Sequence, residues 1–199
     1  MAYLYYMKKL VFSIACALLV QTAWAQKDVL QFDENNKYVC YQVIEKPGMS
    51  MDSLYTRALQ FAGYFAPKRT EKSKVPGSVT LKDNFVIYGS ALLSKKEAGQ
   101  VSYKLNIDTK DGKYRYNFGE FVFKPYKINR YGSMAVQPGV EIPLEKMWTK
   151  YSVKDTDTYL DQIGAFCKAS SAKLVHYMDR VQVLRKQEEV VKKVATDKW

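Results

Sequence analysis

Histidine occurs once in these 199 residues, at position 176, and that scarcity narrows the chemistry at the outset. A Ser-His or Cys-His dyad has one candidate base and no alternative. Cysteine is nearly as rare: Cys16, Cys40 and Cys167 stand far apart, none at ligand spacing from another cysteine or from His176. Structural zinc sites need such clusters, so neither a metal nor a cofactor is expected. G-x-S-x-G, H-E-x-x-H, C-x-x-C, phosphate-loop and dinucleotide fingerprints are all missing. Asp155 with Asp157 and Glu188 with Glu189 are carboxylate pairs, but in solvated sequence without the enclosed site that glycoside hydrolysis requires. The chain therefore reads as no enzyme, and a hydrolase built on His176 is the last of the alternatives.

Long apolar runs are lacking too. The best one, Leu10 to Val20, has 11 residues, well short of the roughly 20 that a membrane helix needs. It follows Lys8 and Lys9 and precedes Ala23-Trp24-Ala25, so residues 1–25 read as a signal peptide cleaved after Ala25. Met7 offers a second start just ahead of the two lysines. Ser13-Ile14-Ala15-Cys16 departs from a lipobox at Ser13, which makes an outer-membrane lipoprotein anchored at Cys16 the lesser alternative to a periplasmic or secreted protein. Acidic residues are also few, 20 against 31 Lys and Arg, for a net charge of +11 that falls to +9 when Lys8 and Lys9 are removed. Such a surplus either serves solubility or attracts anionic partners such as lipid headgroups or glycans. For an exported chain, nucleic acid is not expected among them.

What the chain does have is a strong β-hairpin. Val101, Tyr103, Leu105 and Ile107 alternate with polar residues, Asp111-Gly112 makes a turn, and Tyr114, Tyr116 and Phe118 resume the alternation. After Gly119 the apolar phase slips to Phe121 and Phe123, which predicts a bulge. The aromatics crowd one face. Lys104, Arg115 and Asn117 take the other, either as a solvated side or as a surface for a peptide, glycan or headgroup.

Around this hairpin, residues 26–36 read as a flexible lead-in and 37–185 as one domain. Lys37–Lys46 predicts a strand. Ser50 caps a helix through Phe65 with Leu54, Ala58, Phe61, Ala62 and Phe65 as its buried stripe. Pro67–Gly77 is a basic loop carrying Lys68, Arg69, Lys72 and Lys74. Val79 and Leu81 start a strand, and Phe85, Ile87, Ala91 and Leu93 continue in a further one, with a polar turn over Ser94–Gln100. From Lys124 to Val153 periodicity fades, with Ile142, Leu144, Met147 and Trp148 available for packing. Thr156 or Asp157 opens a last helix whose stripe runs from Tyr159 to Val181, and residues 186–199 form a basic helical tail. Cys40 in a strand and Cys167 on the apolar face of a helix are read as buried free thiols, with one disulfide as the alternative.

Three places in this pattern resemble a known family: the helix start with Ser50, Leu54, Tyr55, Arg57 and Ala58; the strand around Ile87 and Gly89 with the Lys110–Tyr116 hairpin; and Pro143 with Glu145 ahead of the long helix. The chain is similar, over Tyr38 to Val181, to small exported proteins of Bacteroides-type bacteria that share a domain of unknown function with a TATA-binding-protein-like (TBP-like) fold. It departs at Gly63-Tyr64-Phe65, where the family often has Trp-Phe. The resemblance implies an α+β fold, a curved antiparallel β-sheet with helices packed on one face in the order β-α-β-β-β-β-α. It implies no reaction and no catalytic residues, and a TBP-like sheet does not by itself imply DNA binding. Function is therefore expected to be that of a non-enzymatic envelope protein, a binding or accessory module for an unknown envelope protein, glycan or lipid headgroup. Binding of an anionic polymer or lipid surface through Lys68, Arg69, Lys72 and the Arg115 face is the alternative.

Overall fold

The computed structural model describes residues 29–66, 75–89 and 96–180, with 70–72 as backbone. The expected signal peptide with Cys16, the loop cations Lys68 and Arg69, and the tail 186–199 lie outside the described residues. In chain order the elements are β1 (Gln31–Phe32), β2 (Tyr38–Glu45), α1 (Met51–Phe65), β3 (Thr70–Lys72), β4 (Ser78–Tyr88), β5 (Glu97–Lys110), β6 (Lys113–Ile128), β7 (Met134–Val136), β8 (Ile142–Pro143), a 3-10 helix (Leu144–Thr149) and α2 (Val153–Asp179). The sheet is antiparallel throughout, in the order β1-β2-β6-β5-β4-β3, and β7 and β8 pair with the far half of β6.

The β5–β6 hairpin is the spine of the sheet. Gly112 takes φ +72° at its turn, a conformation without penalty only for a residue lacking Cβ. The expected slip in β6 is real: the β5–β6 register shifts between Ser102 and Lys104. The left-handed residue there is Glu120, φ +52°, rather than its neighbour Gly119. The bulge returns Phe121 and Phe123 to the face already occupied by Tyr114, Tyr116 and Phe118, so all five rings are buried.

The turn also organises what precedes it. Asp111 Oδ1 accepts the Met51 N–H at 2.7 Å, and Ser50 caps α1 by accepting from the Ser53 N–H at 3.3 Å. The Gly112 N–H donates to the Met49 carbonyl at 2.8 Å, and the Lys46 N–H donates to the Gly112 carbonyl at 2.7 Å. Two orphan amides of the first helical turn are thereby satisfied, one of them by a carboxylate suited to the positive end of the helix. Across the sheet, Glu145 Oε1 accepts the Tyr38 N–H at 3.0 Å, joining the 3-10 helix to the start of β2.

Both helices cover the aromatic face. Leu54, Ala58, Phe61 and Ala62 of α1 are buried, as are Tyr159, Ile163, Cys167, Leu174 and Met178 of α2. Phe85 stacks on Phe166 with ring centroids 3.8 Å apart, and Phe61 meets Tyr177 edge-on at 5.6 Å.

Several expectations need correction. Two strands were expected over Val79–Leu93, but β4 is one strand from Ser78 to Tyr88, paired continuously with β5 from Asp108 to Gly99. Asp83 occupies an inward position in its middle, and that polar residue at apolar parity is what broke the pattern. Residues 90–95, with Ala91 and Leu93, lie outside the described residues. The polar turn gives way at Glu97, where β5 already begins. The segment expected to lead loosely into the domain contributes β1, which pairs with Tyr38 and Val39. Ile142, Leu144 and Met147 are buried as expected, but Trp148 is 43% exposed. Helix α2 starts at Val153, earlier than expected, because Ser152 accepts the Asp155 N–H at 3.1 Å, while Thr156 is fully buried.

Candidate functional site

The face of the sheet that the helices leave bare is built from the alternate residues of the same strands. Pairing places Val43, Arg115, Asp108 and Ser78 in one row across β2, β6, β5 and β4, and Tyr41, Asn117, Asn106 and Thr80 in the next. Directly opposed residues of antiparallel strands share a face, so each row is a line of neighbouring side chains. Hydrogen bonds run along them. Ser78 Oγ donates to Asp108 Oδ1 at 2.6 Å, Arg115 Nε donates to Asp108 Oδ2 at 2.9 Å, and Thr80 Oγ1 donates to Asn106 Oδ1 at 2.9 Å.

Where β2, β6 and the end of β5 meet, this face dips into a hollow of about 230 Å³ lined by Tyr41, Val43, Asp108, Lys110, Lys113 and Arg115, with Tyr114 below. Tyr41 and Val43 are 44% and 46% exposed on its wall. Asp108 engages Arg115 by hydrogen bond and charge, which raises the guanidinium pKa further and keeps it cationic. Lys110 and Lys113 form no ion pair among the described residues. Three cations against one carboxylate leave the hollow positive, with an aromatic and an aliphatic wall. That combination suits an anion carrying apolar surface.

The sequence candidates distribute unevenly over this face. Arg115 lines the hollow. Asn117 lies one row away, its Oδ1 buried and without a donor among the described residues. Lys104 is farther along β5 and pairs with Glu120 at 3.0 Å, outside the hollow. Lys72 closes β3 on the far side of the sheet, in register with Val79. Tyr41, Val43, Lys110 and Lys113 escaped the sequence reading. A signal was present: in KYVCYQVIEK both parities of the strand carry apolar residues, which a half-buried edge strand does not need.

Cys40 on β2 and Cys167 on α2 are both buried and free. The neighbouring Cys40 thiol, together with burial, pushes the Cys167 pKa up and holds it protonated. Beside them a second depression of about 470 Å³ runs between the β2 edge and α2, lined among others by Gln42, Tyr116, Lys168, Ser171, His176 and Asp179. Tyr116 donates its hydroxyl to Gln42 Oε1 at 2.6 Å, Ser171 Oγ donates to the Lys168 carbonyl at 3.1 Å, and Asp179 is ion-paired with Lys46. His176 is exposed on this rim. Among the described residues no three His, Cys, Asp or Glu side chains converge as metal ligands, and no helix is long and apolar enough to cross a membrane.

An open antiparallel sheet with two helices on one face and a bare polar face on the other defines an α+β domain of TBP-like fold. Residues 41–124 match the family model described as a domain of unknown function (DUF4468) with TBP-like fold, and the resemblance read from the sequence is borne out. Among solved structures, the chain is similar to a DUF4468 family protein from Bacteroides ovatus, with a TM-score of 0.57 and 12% identity, over 77% of this chain and 92% of that one. A TBP-like protein from Parabacteroides distasonis gives a TM-score of 0.60 and 13% identity, over 75% of this chain and 97% of that one. At such identities the likeness speaks for fold alone. No curated protein matches the chain.

Proposed function

We propose that this protein is an exported, non-enzymatic binding module of the cell envelope, and that it takes an anionic ligand in the hollow above β2, β6 and β5. The observation that carries this reading is the grouping of Lys110, Lys113 and Arg115, with one carboxylate among them, against the exposed walls of Tyr41 and Val43. Export is supported by the basic, apolar and small-residue order of positions 8–25. A binding role is further supported by His176, the only candidate base, standing beside a serine hydroxyl turned to a backbone carbonyl and an aspartate paired with lysine.

The test is binding of dextran sulfate and of phosphatidylglycerol vesicles to the full chain and to a Lys110→Glu, Lys113→Glu, Arg115→Gln variant. The wild type binds with an affinity that falls steeply as salt rises, and the variant loses at least about tenfold, or 1.4 kcal/mol. Equal binding by the two proteins overturns the hollow as the site. Reversal of Lys68, Arg69 and Lys72 in a second variant measures what the basic loop adds. Reproducible release of a small product from envelope extract would overturn the non-enzymatic part.

A further inference from the structure

From Tyr41 to Glu45, strand β2 is an open edge among the described residues. Its residues Cys40–Glu45 pair with β6 on one side. On the other, β1 reaches only Tyr38 and Val39, and no other described strand pairs there. The direction of the free groups follows from register. Lys46 donates to Gly112 of the hairpin turn, in step with pairs such as Ile44 with Tyr114 and Gln42 with Tyr116. In an antiparallel ladder the hydrogen-bonded residues alternate, so the N–H and C=O groups of Tyr41, Val43 and Glu45 point away from β6. None of them is bonded by another described residue. Natural edges of this kind are blunted with charged side chains, proline or a bulge. Tyr41-Gln42-Val43-Ile44 has none of these, a charge arriving only at Glu45 and proline at position 47.

The two depressions flank this same edge, one on each face of the sheet. The hollow borders Tyr41 and Val43 on the bare face, and the groove under α2 borders Gln42 on the other. A strand laid against β2 would send successive side chains alternately into one and the other, the arrangement by which main-chain bonds supply affinity and paired pockets supply selectivity. Charge selects the occupant. A second copy would set only its own Tyr41, Val43 and Glu45 at the seam, one carboxylate to meet a hollow of three cations. An acidic strand is favoured: a glutamate beside Val43 stands two strand spacings, roughly 9.6 Å, from the Arg115 backbone, a gap that the two long side chains can close over Val43.

We infer that β2 accepts an extended acidic segment of a partner protein by strand addition, with its glutamates or aspartates over the cationic hollow and its alternate side chains in the groove beneath α2. This rests on the hollow being the binding site and names the class of its ligand.

The experiment uses the full chain and a fluorescein-labelled peptide of about eight residues, a typical strand length, in which glutamate alternates with valine and tyrosine. Fluorescence anisotropy is read for this peptide, for the same sequence N-methylated at alternate residues, and for labelled dextran sulfate. Two variants are compared with wild type: Val43→Pro, which removes one outward N–H at an edge position that tolerates proline, and the triple charge variant. Binding of the plain peptide, weakened at least about tenfold by N-methylation, by Val43→Pro and by charge reversal, supports strand addition. N-methylation needs no folded variant, so it decides the matter even if Val43→Pro unfolds. Equal binding of the methylated and plain peptides overturns strand addition while leaving the anionic hollow standing. No peptide binding at about 1 mM, or self-association of the chain in its place, overturns it as well. Indifference of both probes to charge reversal overturns the hollow itself.

Discussion

The same substitution, glycine to alanine, is expected to move stability in opposite directions at two positions of this chain. Gly99 lies in β5 opposite Pro125, where β6 has passed its bulge. A Cβ there would stand 2.4 Å from the Lys124 carbonyl oxygen and 2.5 and 2.8 Å from two atoms of the Phe123 ring. Neither neighbour can give way cheaply. The carbonyl belongs to the β6 backbone, and Phe123 is fully buried, with Tyr151 and Tyr159 each 5.5 Å away between ring centroids. Overpacking of this kind costs about 1–3 kcal/mol. Restriction of the unfolded chain returns about 0.4–1 kcal/mol, so Gly99→Ala is expected to destabilise by roughly 1–2 kcal/mol. Gly63 is exposed on α1, and no atom lies within 4 Å of its would-be Cβ. There alanine adds helix propensity, about 0.5–1 kcal/mol of stabilisation. Urea melts of both variants read the difference as a lowered midpoint for one and a raised midpoint for the other, at unchanged m. In thermal melts the pair should straddle wild type, at about 2–4 °C per kcal/mol for a chain of this size. Midpoints that shift in the same direction would refute the placement of β5 against β6 at this point.

Glu145→Ala removes the acceptor of the Tyr38 N–H and should cost about 1.5–3 kcal/mol in urea melts, while Glu145→Gln keeps an acceptor and should cost less; equal midpoints for all three proteins would remove that joint from the account. Burial raises the pKa of Tyr114, Tyr116, Tyr151 and Tyr159. The folded chain then keeps phenolic protons that the unfolded chain releases above about pH 10, so their contribution is complete below that pH and is lost as pH rises beyond it. Urea midpoints should therefore fall between about pH 10 and 11, by up to about 1.4 kcal/mol per tyrosine per pH unit, and a flat profile would contradict the burial. Oxidised glutathione should convert the Cys40 and Cys167 thiols to a disulfide, two protons and two electrons passing to the reagent as it becomes two reduced thiols. Intact mass would fall by two hydrogens, and so long a closed loop raises stability by up to about 5 kcal/mol in the chain-entropy model. An unchanged mass under oxidant would show that the two sulfurs cannot meet.

Much of the fold was legible because period and punctuation agreed. The β5–β6 hairpin announces itself by strict alternation around Asp111-Gly112, and α1 by Ser50 and a stripe that the structure buries. The failures have physical causes. Asp83 points inward in the middle of β4 and so reads as a break, although the strand is held by its partner β5 rather than by its own pattern. The exposed Val153 and unstriped Lys154 hid the start of α2, which Ser152 fixes by a cap. Strands β1, β7 and β8 have two or three residues each and exist through pairing with longer neighbours, which no local period records. The site was half legible. Arg115 and Asn117 follow from strand parity, but Lys110 and Lys113 sit at the turn, where parity ends, and only the closing of the hairpin sets them beside Tyr41 and Val43.

Four of the residues that carry the family likeness are joints. Asp111 and Gly112 hold the start of α1, Ser50 caps it, and Glu145 ties the 3-10 helix to β2. A match built on such positions follows the fold, because the same contacts are needed whatever the protein binds. The hollow uses the positions between them. Tyr114 and Tyr116 are buried, while Arg115 faces out toward Asp108 and Tyr41. A single strand thus carries two sets of residues on opposite faces, one answering to packing and one free of that constraint. Substitutions at the outward set can change the surface without disturbing the fold. Chains at 12–13% identity can therefore keep this sheet while differing in the face it presents. A functional comparison between relatives has to add Tyr41 and Val43 of β2 to the hairpin motif, whose Lys110, Lys113 and Arg115 face the hollow.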